Sequence, residues 1–236
     1  MFLIKSCYKK LAACLSGGCF IDRRMAVCYN TCTYKNGKEG AVCVNVYDFD
    51  KTIYDGDSTA HFYFYCVRRF PSVLFWLPYQ GFSFLLYVLG VYKKTQFKER
   101  FYRFFRLVKD IETVVEQFWN EKQGGIKAWY LAGRKEDDVI ISASPEFLLR
   151  PICNRLGIRH LIASRVDARS GAYDGQNCYG EEKVLRFRAE FPDGVIDNFY
   201  SDSLSDAPLA HLATEQAYLV AGETLLEWNK YKETHK

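Results

Sequence analysis

The chain has 236 residues, 49% of them apolar and 17% aromatic, with a formal net charge of +4. That apolar content supports a full core and excludes a disordered protein. The positive balance sits in residues 1–40, where seven Lys/Arg face only Asp22 and Glu39; the rest is close to neutral, which removes global basicity as an argument for nucleic acid.

Leu11-Ala12-Ala13-Cys14 looks like a lipoprotein cleavage site, but Lys9 and Lys10 stand where the apolar region of an export signal belongs, so export is rejected. Ser16-Gly17-Gly18 and Asn36-Gly37 break any period. Residues 1–40 are expected to be a poorly ordered extension, dispensable for the chemistry. The nine cysteines show no paired zinc-like spacing, and their odd, scattered number fits reduced thiols and a cytoplasmic protein.

The decisive stretch is Val44-Asn45-Val46-Tyr47-Asp48-Phe49-Asp50-Lys51-Thr52. An apolar β-branched run that stops at two aspartates reads as a buried parallel strand with carboxylates at its carboxyl end, where open α/β sheets bind ligands. Crowded carboxylates repel and call for a cation. A carboxylate can attack phosphorus, a second one can move the proton, and Mg²⁺ can cancel the charge between nucleophile and substrate. The bland alternative is an Asp-rich turn, with Asp50 or Asp57 capping the next helix.

A helix is expected over Thr59–Phe70 after Asp57-Ser58. Residues 71–92 then carry no formal charge, but Ser72, Pro78, Gln80, Gly81 and Ser83 dilute the run. A single crossing would also put Asp48 and the later candidates on opposite sides of a bilayer. Helices buried in a cap are the first expectation for this run, and interfacial contact the second. Over Lys93–Lys109, Phe97, Phe101, Phe104, Phe105 and Val108 share a helical face, while seven Lys/Arg against Glu99 crowd the remainder. Residues 71–109 are therefore a candidate contact for an anionic membrane surface, with a solvated face over a core stripe as the alternative.

From Asp138 strands and helices alternate, which predicts a doubly wound parallel α/β sheet. Strands are expected at Val139–Ile141, His160–Ala163, Val195–Tyr200 and Ala217–Val220. Helices are expected after Pro145, over Glu181–Phe191 and Ala207–Ala213, and a last one over Thr224–Tyr231. Ser142 follows one strand, Lys183 opens a helix, and Asp202 with Asp206 follow another strand. Singly these read as caps or exposed groups; their order carries more weight.

That order resembles the haloacid-dehalogenase-like phosphohydrolase superfamily: Asp48-Phe49-Asp50-Lys51-Thr52, then Ser142, Lys183, and Asp202 with Asp206. The resemblance implies a Rossmann-like core over residues 41–57 and 131–236 and a helical cap over 58–130. It implies a nucleophile at Asp48, a general acid/base at Asp50, and phosphate-binding groups at Ser142 and Lys183. Mg²⁺ would be held by Asp48, Asp202 and the Asp50 carbonyl, with Asp206 behind them. The long insert is similar to that of the phosphoserine phosphatase subgroup, where Asp57 would bear on specificity. Arg68-Arg69-Phe70-Pro71, Ser144-Pro145, Leu161-Ile162-Ala163-Ser164 and Cys178-Tyr179-Gly180-Glu181-Glu182-Lys183 resemble the bacterial phosphatidylglycerophosphatase C type. The implied activity is a Mg²⁺-dependent phosphomonoesterase acting on a phosphorylated small molecule or a lipid headgroup, in the cytoplasm or at the inner membrane face. A small-metabolite phosphatase and a non-catalytic phospho-ligand-binding module are the alternatives.

Overall fold

A computed structural model describes residues 42–230; the extension expected to be dispensable lies outside them. β1 (Cys43–Tyr47) is the apolar run that ends at Asp48. The chain then enters a helical insert: α1 (Ser58–Arg69), a 3₁₀ turn (Pro71–Trp76), α2 (Leu77–Val88), α3 (Lys94–Tyr102), a second 3₁₀ turn (Arg103–Leu107), α4 (Ile111–Lys122) and α5 (Ala128–Gly133). It returns through β2 (Val139–Pro145), α6 (Glu146–Arg155), β3 (His160–Ser164), α7 (Glu181–Glu190), β4 (Val195–Ser201), the short α8 (Ala207–Ala210), β5 (Ala213–Ala221) and β6 (Thr224–Glu227).

The sheet order is β3-β2-β1-β4-β5-β6. The first five strands are mutually parallel, as the alternating pattern predicts, and β1 is central, paired with β2 on one side and β4 on the other. β6 departs from the prediction of a helix starting at Thr224. Gly222 adopts φ +61, a conformation open to glycine, and the tight turn sends Thr224 back to pair antiparallel with Ala221. The strand period of two sorts the core: Val139 and Ile141 pack with Val46, Phe187 and Phe199 on one face, while Ile140 packs with Leu148, Trp119 and Phe49 on the other.

The two connections of the insert are stitched together beside β1. Asp55 N donates to Gly125 O at 2.8 Å, Lys127 N donates to Ile53 O at 2.9 Å, and Tyr54 bridges antiparallel to Ile126. The buried Lys127 ammonium donates to Lys51 O at 2.7 Å and Gly222 O at 2.5 Å.

Within the insert, the expectation that residues 71–92 are buried meets a different arrangement. Phe75 is 87% and Leu89 65% exposed, and Leu77, Phe82, Phe84, Leu85 and Val88 are exposed with them. The residues of α2 that turn inward are Gln80 and Ser83, 5% and 1% exposed. Gln80 earns this position through its two bonds: Tyr63 OH donates to its Oε1 at 3.0 Å, and its Nε2 donates to Phe101 O at 3.1 Å. The one amphipathic helix expected over Lys93–Lys109 is α3 plus a 3₁₀ turn, with Phe104, Phe105 and Val108 buried as its core stripe.

Trp119 fastens the insert to the sheet layer, fully buried and donating from Nε1 to Leu148 O at 2.6 Å. Trp119→Phe removes that bond to Leu148 O and opens a void beside Phe49 and Tyr54. We expect it to lower the urea-unfolding free energy by about 2–4 kcal/mol.

Candidate active site

The parallel pairing of β1 with β4 sets Tyr47 beside Tyr200, so Asp48 and Asp202 leave the sheet at the same edge. Asp48 N donates to Tyr200 O at 2.9 Å, extending the ladder by one bond. Thr52, fully buried, spans the two strand ends: its hydroxyl accepts from Asp202 N at 2.9 Å and lies 3.5 Å from Asp48 Oδ2. Lys51, at φ 59, turns the chain between these groups.

Lys183 is the buried centre of the site. Its Nζ donates to Asp48 Oδ1 and to Asp206 Oδ2, both at 2.7 Å. Gly180 makes this reach feasible, because it opens α7 at φ +58, a conformation open to glycine, three residues before the lysine. Burial alone would lower the Lys183 pKa, but Asp48 and Asp206 outweigh it and the net direction is upward. Burial raises the Asp48 carboxyl, Lys183 opposes that, and repulsion from Asp206 and Asp50 adds to it. Asp206 Oδ2 also accepts from Ser201 Oγ at 2.8 Å, while its buried Oδ1 has no hydrogen-bond partner.

Asp50 is held differently. Ser58 N donates to its Oδ1 at 2.6 Å and Ser144 Oγ to its Oδ2 at 2.5 Å. Desolvation raises its pKa, with Asp57 adding and these two donors opposing. A carboxyl oriented by two donors and shifted toward the protonated form is suited to delivering a proton. Asp57 caps α1, accepting from Ala60 N at 2.9 Å, so the capping role expected as an alternative is present.

Asp48, Asp50, Asp57, Ser142, Lys183, Asp202 and Asp206 all line one cavity of about 370 Å³. The sequence missed two residues there. Ser144, noted only beside Pro145 as part of the family resemblance and given no role in the site, orients Asp50. Lys98, counted among solvated basic residues, turns inward and donates to Ala143 O at 2.9 Å. The one signal for it was its position four residues before Tyr102, which is buried.

Five carboxylates and four lysines (Lys51, Lys94, Lys98, Lys183) line the cavity, so a phosphate dianion would add to an existing negative excess. Among the described residues no three acidic, histidine or cysteine side chains are gathered as a metal cluster. The expected Mg²⁺ set needs fewer, two carboxylates and a main-chain carbonyl, and Mg²⁺ keeps several waters. The charge excess and the unpartnered Asp206 Oδ1 fit such a cation.

The sequence profile of the haloacid dehalogenase-like hydrolases matches residues 46–211. The chain belongs to that family. Protein CicA of Caulobacter vibrioides is 35% identical over 100 residues, 40% of this chain and 44% of that protein. A probable phosphatase of Mycobacterium tuberculosis is 37% identical over 91 residues, 36% of this chain and 31% of that protein. The chain thus spans less than half the length of these curated relatives. The crystal structure of a protein of unknown function from Bordetella pertussis has the same fold, with a TM-score of 0.60 at 21% identity, covering 75% of this chain and 89% of that one.

Removing the Lys183 charge leaves two buried carboxylates unpaired. We expect Lys183→Met to lower stability by about 3–5 kcal/mol in chemical unfolding, the usual cost of breaking a buried ion pair from one side.

Proposed function

We propose that the protein is a Mg²⁺-dependent phosphomonoesterase working through an aspartyl-phosphate, on a lipid or other bulky phosphate. The observation that carries this reading is the meeting of Asp48, Asp50, Ser142, Lys183 and Asp202 on one cavity. Asp48 attacks the phosphorus; Asp50 gives its proton to the leaving oxygen, then takes one from the water that cleaves the acyl phosphate. The Ser142 hydroxyl and Lys183 hold the phosphoryl oxygens, and Lys183 keeps Asp48 aimed. Asp48, Asp202 and the Asp50 carbonyl would hold Mg²⁺, with Asp206 behind them. When bound, the cation offsets repulsion between carboxylate and phosphate. Asp50's raised pKa favours an enzyme over a binding module, which needs no proton donor. The helices between β1 and β2 act as a cap, and its Phe97 and Phe101 in the cavity wall favour a bulky or acyl-bearing substrate over a small metabolite such as phosphoserine.

With an aryl phosphate as substrate, Asp48→Asn is expected to abolish turnover and Asp50→Asn to slow it by about 10²–10⁴-fold. EDTA is expected to stop the wild-type reaction. Turnover in Asp48→Asn, or turnover that survives exhaustive chelation, would overturn the mechanism.

The protein acts in the cytoplasm, with the α2 face lying on the inner membrane surface. Among the described residues no helix is long and apolar enough to cross a membrane. However, α2 turns its polar residues inward and its apolar ones outward, which suits an acyl layer. Arg68 and Arg69 precede the apolar stretch, and Lys93, Arg100 and Arg103 follow it; Arg103 lies over the Tyr79 ring and Arg100 over that of Tyr92. Each such cation adds roughly 1 kcal/mol at an anionic surface. The protein is expected to sediment with anionic vesicles at low salt, less at high salt, and much less as Leu85→Asp/Val88→Asp. Equal, negligible sedimentation with anionic and neutral vesicles would exclude the surface.

A further inference from the structure

Lys98 is a half-buried cation of α3 whose partners are both neutral. Its ammonium donates to Ala143 O at 2.9 Å and to Asn177 Oδ1 at 3.3 Å. The Asn177 oxygen is already shared, accepting from Ser164 Oγ at 3.1 Å and Tyr173 OH at 3.3 Å. An ammonium has three N–H donors, so one is left for the cavity that Lys98 lines. A buried cation without a close counter-charge is costly, and an anion placed against it recovers that cost. Lys94, one turn earlier on α3, lines the same cavity with its Nζ 3.3 Å from the centre of the Tyr179 ring.

Lys183, by contrast, is already matched to Asp48 and Asp206. Among the described residues the two lysines of α3 form no ion pair with that carboxylate cluster. They belong to the insert, whereas Asp48 and Lys183 belong to the sheet edge, and Ala143 is the residue beyond Ser142. We propose that Lys98, assisted by Lys94, forms a second anion-binding subsite that selects phosphomonoesters whose organic part carries another anionic group, a carboxylate or a phosphodiester. This deepens the phosphatase reading and rests on it. The apolar rings of Phe97 and Phe101 flank the subsite and line the cavity, so the chain joining the two anions can be a hydrocarbon.

Burial pushes the Lys98 ammonium down to about 8, Lys94 and Lys183 push it the same way, and Asp50 and Asp57 pull it back. A carboxylate bound there is favoured while Lys98 is protonated, so preference for the second anion fades as pH rises through this range.

The test is a matched pair of non-hydrolysable ligands, 4-phosphonobutyrate and butylphosphonate, measured by calorimetry in the presence of Mg²⁺. The wild type is expected to prefer the carboxylate-bearing ligand by about tenfold, the scale of one charge-assisted hydrogen bond. Lys98→Met should erase that preference and Lys98→Arg should retain most of it. In the wild type the preference should fade between about pH 6.5 and about pH 9.5. The phosphonate ionisation is common to both ligands and cancels in the ratio. The wild-type titration does not depend on whether Lys98→Met folds. Equal affinity of the wild type for the two ligands overturns the subsite. So does a preference that survives Lys98→Met, or one that is unchanged at high pH; a lysine serving only the phosphoryl group would weaken both ligands alike and leave the ratio intact. Phenyl phosphate hydrolysis, run in parallel, reports on the phosphatase reading separately. An inactive enzyme that keeps the tenfold preference would sink that reading and leave the subsite standing.

Discussion

The structure depends on how carboxylates are kept together at one sheet edge. Unit charges about 4 Å apart at an effective dielectric of about 20 interact by roughly 4 kcal/mol, so an unscreened cluster would push its own strands apart. Lys183 answers this from below by touching Asp48 and Asp206 at once. Its place follows from Gly180, which lets α7 begin where an ordinary residue would be strained, and from the β1–β4 register, which brings Asp48 alongside the end of β4. Thr52 then ties the two strand ends through a single hydroxyl. Asp50 is kept apart from this network by its own donors, Ser58 and Ser144, which allows neighbouring aspartates to differ in protonation and in role.

The insert answers the same cavity from above. Its α3 has two working sides: Lys98 reaches Ala143, and Phe97 packs against Tyr87 and Phe84 of α2 at ring separations of 5.2 and 5.7 Å. Phe97 also lines the cavity. The exposed apolar face of α2 and the polar interior are therefore joined through one aromatic side chain, and a molecule with a charged head and an apolar body would meet matching surfaces along that line.

Much of this was legible in the sequence because the informative residues sit at discontinuities. Asp48, Ser142 and Asp202 each follow an apolar run, and Lys183 opens a helix, so pattern alone ordered them around a parallel sheet whose observed arrangement agrees. What pattern could not give was direction. The run over residues 71–92 is apolar whichever way it faces, and only the bonds of Gln80 to Tyr63 and Phe101 fix its polar side inward. Lys98 was hidden for a related reason: six other basic residues surround it between 93 and 109, and charge counting cannot single out the one that turns in. Ser144 next to Pro145 has the signature of a helix cap, and its bond to Asp50 spans 94 positions in the chain. Thr224-Leu225-Leu226-Glu227 suits a helix or a strand, and the turn at Gly222 decided between them.

The stitched stem between β1 and β2 has a mechanical consequence. Because Tyr54 and Ile126 are bridged and Lys127 grips the Lys51 carbonyl, the insert is a loop closed at its base, and Trp119 and Lys98 pin it to the core again further out. The bond at the Lys51 carbonyl lies one peptide from Asp50. The peptide next to Asp50 is thereby clamped to the base of the insert, and the second bond of Lys127, to Gly222 O, ties the same clamp to the turn between β5 and β6.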